Sequence, residues 1–172
     1  MTRRSRFSRF PRHVAPAMVT VLSAVLVLAS ATSVGADAPA DADPAIQYRH
    51  KLMEAIGSNM AAIADIMKYG LDLPGHVENH ARQLEKSAAL IAGAFKAKVV
   101  EGPTDAKPEI WQDWAKFEQA IADYEKAAGA FASAAAGSDG EAIGAAMKGL
   151  GKSCSGCHKS FRKPKEESYK NQ

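Results

Sequence analysis

The spacing of apolar side chains is the feature that most constrains how this chain can fold. Ile46, Met53, Ile56, Met60 and Ile63 recur at intervals of three, four and seven residues, which is the period of one face of an α-helix. Similar apolar sets follow in three later stretches, and runs of β-branched residues are nearly absent beyond the N-terminal region. The pattern predicts an all-α protein with no strand.

Four helices are predicted, over residues 43–69, 74–98, 108–136 and from about 140 to near 164. Asp43 is expected to cap the first helix and Pro44 suits its first turn. Ser138 with Glu141 has the spacing of a capping box for the last helix. Because short loops join the amphipathic helices, residues 44–165 are expected to form an antiparallel up-down-up-down four-helix bundle.

The first 36 residues have the composition of a secretory signal peptide. Five arginines and no acid precede an apolar stretch at 15–29, and small residues follow as far as Ala36. The stretch is short for a membrane span, so we expect cleavage and a periplasmic location rather than an anchor. Residues 37–43 are expected to be a disordered leader and residues 166–172 a polar tail. The chain has 22 basic and 19 acidic residues, so loss of the five arginines leaves a net charge of −2. A negative net charge gives no reason to expect nucleic-acid binding.

The segment Cys154-Ser155-Gly156-Cys157-His158 carries the chemistry. Cys-x-x-Cys-His is the attachment sequence for c-type haem. On a helix, positions i, i+3 and i+4 share a face, so both thiols could bond to the two vinyl groups of one porphyrin while His158 binds the iron. Gly156 would leave room for the macrocycle. The sequence thus predicts one covalently attached haem c.

Three other uses of the two cysteines are less consistent with the sequence. A redox-active Cys-x-x-Cys pair is expected in a βαβ unit, which the helical pattern excludes. A structural zinc site needs four ligands, and the chain has no further cysteine. A plain disulfide would not require His158. What fills the sixth position of the iron stays open at this point: methionine would favour electron transfer, an empty position would favour binding of small gases, and histidine is a third option.

A haem motif on the last helix of four resembles the cytochrome c′ family, including its low-spin relatives of the cytochrome c556 type. The resemblance is carried by residues 48–53 with 57–60, by residues 108–111 with Phe117, and by residues 154–158 with Phe161 and Arg162. It implies that the first helix supplies the distal residue. Met53 lies where the low-spin members have a methionine, so it is the predicted sixth ligand, with Met60 as the next candidate. Periodicity alone would assign Met53 to core packing.

Two arginines are candidates for contacts with the haem. Arg49 lies one turn before Met53 and could bind a haem propionate; a solvated surface position is the alternative. The resemblance places Arg162 near the proximal side of the haem, although a basic residue at a helix end is also favoured by the macrodipole. His50 is a weaker alternative ligand.

The remaining polar and aromatic features are expected to play structural or steering roles. His76 and His80 have helical spacing but no partner completes a metal site, so they are predicted to be surface residues. Trp111 and Trp114 are predicted to pack in the core or at an interface rather than to relay electrons. A group of lysines near the motif could steer an acidic redox partner or simply be solvated: Lys148, Lys152, Lys159, Lys163 and Lys165.

The resulting expectation is a periplasmic monohaem electron carrier that transforms no substrate and is therefore not an enzyme. Its partners would be redox proteins that the sequence does not identify. Since related bundles often pair through their first two helices, a homodimer is a further expectation. The alternative function is a high-spin cytochrome c′ whose open sixth position binds a small gas such as nitric oxide.

Overall fold

The structure is a computed structural model that describes residues 38–171, so the predicted signal peptide lies outside the described residues. Five α-helices follow one another and two short 3₁₀ turns end the chain. Their bounds are α1 Pro44–Tyr69, α2 His76–Phe95, α3 Glu109–Gln112, α4 Trp114–Ala135, α5 Gly140–Phe161, then Lys165–Glu167 and Tyr169–Asn171. Residues 38–171 contain no strand, only an isolated antiparallel bridge between Ala106 and Arg162.

The prediction of an all-α four-helix bundle is confirmed. The long helices α1, α2, α4 and α5 pack in sequence order, α1 on α2, α2 on α4 and α4 on α5, and α3 is a single turn that leads into α4. Their inward stripes form one core. Its fully buried large side chains are Ile46, Ile63, Leu84, Ile110, Phe131 and Leu150.

Two of the four predicted helices need correction. The helix predicted over 74–98 begins at His76 because Gly75 adopts a left-handed conformation with φ 77°, and it ends at Phe95. The helix predicted over 108–136 is broken at Asp113, whose φ of −132° and ψ of 69° are not helical. The Asp113 side chain accepts a hydrogen bond from the Lys116 amide at 3.1 Å and so caps α4.

The caps of the other helices are partly as predicted. Asp43 caps α1 by accepting a 2.8 Å hydrogen bond from the Ala45 amide. The capping box expected from Ser138 and Glu141 is wrong. Asp139 caps α5 instead and accepts from the amides of Glu141 and Ala142 at 2.9 and 3.2 Å.

Both short segments that flank the predicted bundle make contacts with it, and the predictions of a disordered leader and a polar tail stay predictions. At the N-terminal side, Ala42 is buried, and the Gln47 side chain donates to the carbonyls of Ala40 and Ala42 at 3.0 and 2.8 Å. At the C-terminal side, Ser168 is buried and Tyr169 packs on His50 with ring centroids 5.4 Å apart. Among the described helices, none combines the length and apolarity that a bilayer span needs.

One end of the bundle gathers the start of α1, the end of α2 and the end of α5 around the loop at 96–108. Arg49 of α1 reaches the carbonyls at the end of α2. The Lys107 amide of the loop donates to the Phe161 carbonyl at the end of α5, at 2.9 Å. This arrangement sets α1 and α5 antiparallel, with the first turns of α1 level with the last turns of α5.

Candidate haem site

A cavity of about 570 Å³ lies between α1 and α5, with α2 and α4 as its floor. This volume is within the range of small-molecule and cofactor sites. The α5 wall presents Cys154, Cys157 and His158. Apolar side chains from the other long helices form much of the remaining lining, including Ile56, Met60, Ile91, Phe95, Phe117 and Ile121.

The three predicted attachment residues share one face of α5 because helical geometry brings i, i+3 and i+4 together. Both cysteines are half-buried, and neither forms a disulfide. A side chain added at Gly156 would meet no atom within 4 Å, so the glycine lies beside open space rather than in tight packing. The sequence therefore folds so that both thiols and the imidazole open onto one apolar space.

Burial governs the protonation of these groups. It raises the pKa of the Cys157 thiol to about 11, with the neighbouring Cys154 sulfur adding to the shift. Burial also raises the pKa of Cys154. It lowers the pKa of His158, and the positive charge of Arg162 lowers it further. The neutral imidazole, which is the form that binds a metal, is thus favoured at His158.

The opposite wall of the cavity comes from α1 and includes both methionines that were considered as sixth ligands. Met53 and Met60 are half-buried and line the same cavity as His158. They differ in their position along the axis of the bundle, which is here called their level. Met60 lies two turns, or about 10.5 Å, further along α1, away from the end where α5 terminates. Met53 is therefore nearer to the level of His158.

Arg49 lies at the edge of the cavity, and its guanidinium is directed at the backbone. It is only 2% exposed. It donates to the carbonyls of Ala94 at 3.1 Å and Val99 at 2.9 Å, and to that of Ala97. Arg49 thereby caps the C-terminus of α2. Its suggested contact with a propionate stays a prediction, and any such contact would use donors beyond the three already engaged.

The two rings that enclose Arg49 are Phe95 and Trp111, whose centroids lie 5.1 and 5.0 Å from the guanidinium carbon. Trp111 also donates from its indole nitrogen to the Phe95 carbonyl at 2.7 Å. Trp114 packs on Phe117 at a centroid distance of 5.4 Å. Both tryptophans thus have packing roles.

Arg162 lines the cavity beside His158 and pairs with Asp105, with 3.4 Å between Arg162 Nη2 and Asp105 Oδ2. Asp105 is buried and also accepts from Ser168 Oγ at 3.0 Å and from the Tyr169 amide at 3.1 Å. This carboxylate fixes the C-terminal segment against the cavity. Arg162 is held close to the predicted haem position, and its haem contact stays a prediction.

The residues that line the cavity but that sequence reasoning did not assign to the site include Asp105, Tyr169 and Lys170. The Tyr169 hydroxyl lies 3.3 Å from Nδ1 of His50, which also lines the cavity. These contacts join residues 57 to 119 positions apart. No local pattern in the sequence could have indicated them.

The histidines of α2 lie away from this cavity. His80 Nδ1 lies 2.7 Å from Asn59 Oδ1, and His76 is exposed. The described part of the chain contains no group of three or more potential His, Cys, Asp or Glu metal ligands.

The residues present fit a covalently attached haem. Two thiols without a disulfide and an imidazole open onto one apolar cavity, with cationic side chains at its rim where the anionic propionates of a haem could be balanced. Thioether attachment needs free thiols, and iron ligation needs an accessible imidazole. The donor set and the lining meet both requirements.

Comparisons with known proteins show which family this chain resembles. A family model described as "Cytochrome C'" matches residues 44–162. A cytochrome c′ from Rhodospirillum rubrum is 32% identical over 97 residues, which is 56% of this chain and 66% of that protein. The structure of a cytochrome c prime from Shewanella frigidimarina superposes with a TM-score of 0.65 at 30% identity and covers 70% of this chain and 94% of that one.

A second solved structure, a nitric oxide complex of a leucine-to-isoleucine variant of cytochrome c prime from Alcaligenes xylosoxidans, has a TM-score of 0.63 at 27% identity with the same coverage. The matched region contains all four long helices and the Cys-x-x-Cys-His segment. The chain therefore belongs to the cytochrome c′ family, and like the members of that family it carries a covalently bound haem c with iron.

Proposed function

We propose that the protein is an exported monohaem electron carrier of the low-spin, cytochrome c556-like type. Cys154 and Cys157 form the thioether bonds, His158 is the proximal ligand and Met53 the distal ligand. The bound haem supplies one-electron chemistry between ferric and ferrous iron. The chain supplies the ligands, an apolar environment and a surface for a partner, and no substrate is transformed.

The observation that carries this proposal is the level of Met53 on the α1 wall. Met53 lines the same cavity as His158, and the antiparallel arrangement of α1 and α5 brings it nearer to that level than Met60. A thioether sulfur on the iron raises the reduction potential and occupies the coordination position that a gas would need. Ligation by Met53 therefore favours electron transfer over gas binding.

The proposed location rests on sequence. Residues 1–36 have a basic start, an apolar centre and small residues at the end, which is the pattern of a cleaved export sequence. Covalent haem attachment would then occur after export.

A homodimer is also part of the proposal. Its two copies would meet through the exposed apolar residues of α1, α2 and the connection between them: Tyr48, Met67, Tyr69, Leu71, Leu73 and Leu90.

Gas binding is the second candidate, and a specific observation favours it. Matched solved structures include nitric oxide complexes of cytochrome c prime variants and a ferrous variant with bound nitric oxide, all from Alcaligenes xylosoxidans. If no side chain of α1 reaches the iron, the apolar wall formed by Met53, Ile56 and Met60 would enclose a small diatomic ligand instead.

Optical spectra of the holoprotein test the choice. We expect the wild type to show a low-spin ferric spectrum with the weak red charge-transfer band of thioether ligation, and sharp α and β bands on reduction. Met53→Ala should lose the charge-transfer band and become high-spin. Met60→Ala is the matched control, because it removes a thioether from the same wall, and it should keep the wild-type spectrum.

The same spectra could instead contradict the proposal. A broad high-spin spectrum in the wild type, which shifts on addition of carbon monoxide and does not change in Met53→Ala, would contradict Met53 ligation. The function would then be gas binding. Loss of the charge-transfer band in Met60→Ala alone would move the ligand to Met60.

A further inference from the structure

A second cleft, of about 650 Å³, adjoins the haem cavity and shares His158, Arg162 and Lys170 with it. Ten of the described residues line this cleft, and none of these ten is an aspartate or glutamate, although Asp105 pairs with Arg162 from outside the cleft. Six carry a positive charge: Lys107, Lys159, Arg162, Lys163, Lys165 and Lys170.

This concentration of charge contrasts with the rest of the molecule. Residues 38–171 contain 17 basic and 18 acidic residues, so about a third of all cations in a slightly acidic region line one cleft. Like charges in a concave, low-dielectric surface focus the field and raise the local concentration of anions. Of the lysines that the sequence suggested for steering, Lys159, Lys163 and Lys165 line the cleft, whereas Lys148 and Lys152 do not.

The cleft is held in shape by the C-terminal segment. The Lys163 amide donates to the Asp105 carbonyl at 2.7 Å, and Lys163 Nζ donates to the Thr104 carbonyl at 3.1 Å. The buried Asp105 carboxylate then fixes Ser168 and the Tyr169 amide. Residues 163–171 lie beyond the region that the family model matches, so this surface is built largely by the chain's own tail.

We propose that this cleft is the docking site for an acidic face of the protein that exchanges electrons with the haem. The inference rests on the proposed electron-carrier function and specifies the partner's surface. His158 forms a wall of both the cleft and the haem cavity. A partner that places carboxylates among these cations would therefore lie against His158, the residue proposed to bind the iron, and the distance for electron transfer would be short.

The shape of the surface favours a protein over an anionic membrane. A concave cleft accepts protruding carboxylate side chains, whereas a flat bilayer contacts only its rim. Complementary charge at such a surface acts chiefly on the rate of association and is weakened by salt. The proposal thus predicts electron transfer that slows as ionic strength rises.

The test uses the holoprotein with decaglutamate as a probe of an acidic surface. A triple variant, Lys107→Gln with Lys159→Gln and Lys165→Gln, removes three cleft charges and keeps the Asp105 and Lys163 contacts that order the tail. The matched control, Lys86→Gln with Lys116→Gln and Lys126→Gln, has the same net charge but changes only exposed lysines outside the cleft. Binding of the labelled peptide is measured by fluorescence anisotropy at low ionic strength.

We expect the cleft variant to bind decaglutamate about tenfold more weakly than the wild type and the control to stay within about twofold, because the focused field of the cleft is lost only in the former. Stopped-flow measurements of the oxidation of the reduced protein by hexacyanoferrate(III) should show a slower rate for the cleft variant and little change for the control. Equal effects of the two triple variants would overturn the docking site. Binding of both proteins to phosphatidylglycerol vesicles without binding of the peptide would also overturn it.

The peptide measurement requires no electron transfer, so it separates this proposal from the proposed function. A high-spin spectrum together with peptide binding that depends on the cleft lysines would refute the proposal that the partner exchanges electrons with the haem. The cleft would then still be an anion-binding site. A low-spin spectrum with peptide binding that ignores the cleft lysines would leave the electron carrier and overturn the docking site.

Discussion

Replacing Arg49 with methionine should destabilise the bundle strongly, because Arg49 is a buried cap for α2 rather than a surface charge. Its guanidinium donates to three carbonyls at the end of α2 and in the residues after it, and lies between the rings of Phe95 and Trp111. Methionine keeps much of the side-chain volume and apolar contact. It removes every donor and the positive charge.

The magnitude follows from what each acceptor can find instead. The Ala94 carbonyl is in a buried residue, so leaving it without a donor costs about 1–3 kcal/mol. The carbonyls of Ala97 and Val99 are nearer to solvent and can accept from water, which reduces each loss to about 0.5–1.5 kcal/mol. The lost cation–π contacts add about 0.5–1 kcal/mol each. These losses sum to about 3–8 kcal/mol. Because methionine keeps much of the apolar contact, we expect a value near the lower end, about 3–5 kcal/mol, in the range seen when one partner of a buried charged interaction is removed.

Urea unfolding of the holoprotein, followed by far-ultraviolet circular dichroism, measures this loss. Arg82→Met is the matched control, because Arg82 is an exposed α2 residue whose side chain pairs with Glu78 at 2.7 Å. An exposed pair of this kind contributes about 0–1 kcal/mol. A loss below about 1 kcal/mol in Arg49→Met, together with a changed haem spectrum, would refute the capping role and support propionate binding as the main role of Arg49.

Three other variants test a helix cap, a buried phenol and the contacts of the C-terminal segment. Asp139→Ala should destabilise α5 by about 1 kcal/mol while Ser138→Ala changes stability little, since only Asp139 caps the helix; equal losses in urea unfolding would contradict this. Burial raises the pKa of Tyr124 above its usual 10.0. The buried neutral phenol therefore stabilises the fold fully below pH 10, and that contribution is lost as the pH rises through the folded-state pKa, so Tyr124→Phe should unfold less steeply with alkaline pH. Asp105→Ala should release residues 165–171, which is detected as faster amide hydrogen exchange at Tyr169; unchanged exchange there would show that other contacts hold the tail.

The sequence predicted the helices well because their main determinant is local. The spacing of Ile46, Met53, Ile56, Met60 and Ile63 reports one face of α1, and Asp43 with Pro44 marks its start. The end of α2 was predicted three residues too late because its determinant is not local. The carbonyls of Ala94, Ala97 and Val99 are drawn to Arg49, which lies 45 to 50 positions earlier in the chain.

The residues of the candidate site also fall into two groups: those that the local sequence identifies and those that depend on contacts distant in the sequence. Cys154, Cys157 and His158 could be recognised because attachment requires a fixed spacing on one helix. Periodicity could not separate Met53 from Met60, since both lie on the apolar stripe of α1. The family resemblance favoured Met53, and its position along α1 relative to the end of α5 supports the same choice. The basic cleft was visible as scattered lysines, but its shape depends on Asp105, which joins the loop after α2 to the tail at a separation of 57 to 64 residues.

The size of the haem cavity explains why this bundle and its cofactor must be considered together. The cavity of about 570 Å³ is lined by apolar side chains from all four long helices, and a haem that covers them would contribute about 25 cal/mol for each Å² of apolar surface removed from water. A four-helix sequence selected only for stability would fill the space between α1 and α5 with its own side chains, because protein cores are close-packed. Instead the facing positions are methionines, cysteines and small residues around a space that a porphyrin can occupy, so the haem serves as part of the core and its two thioether bonds hold that part in place.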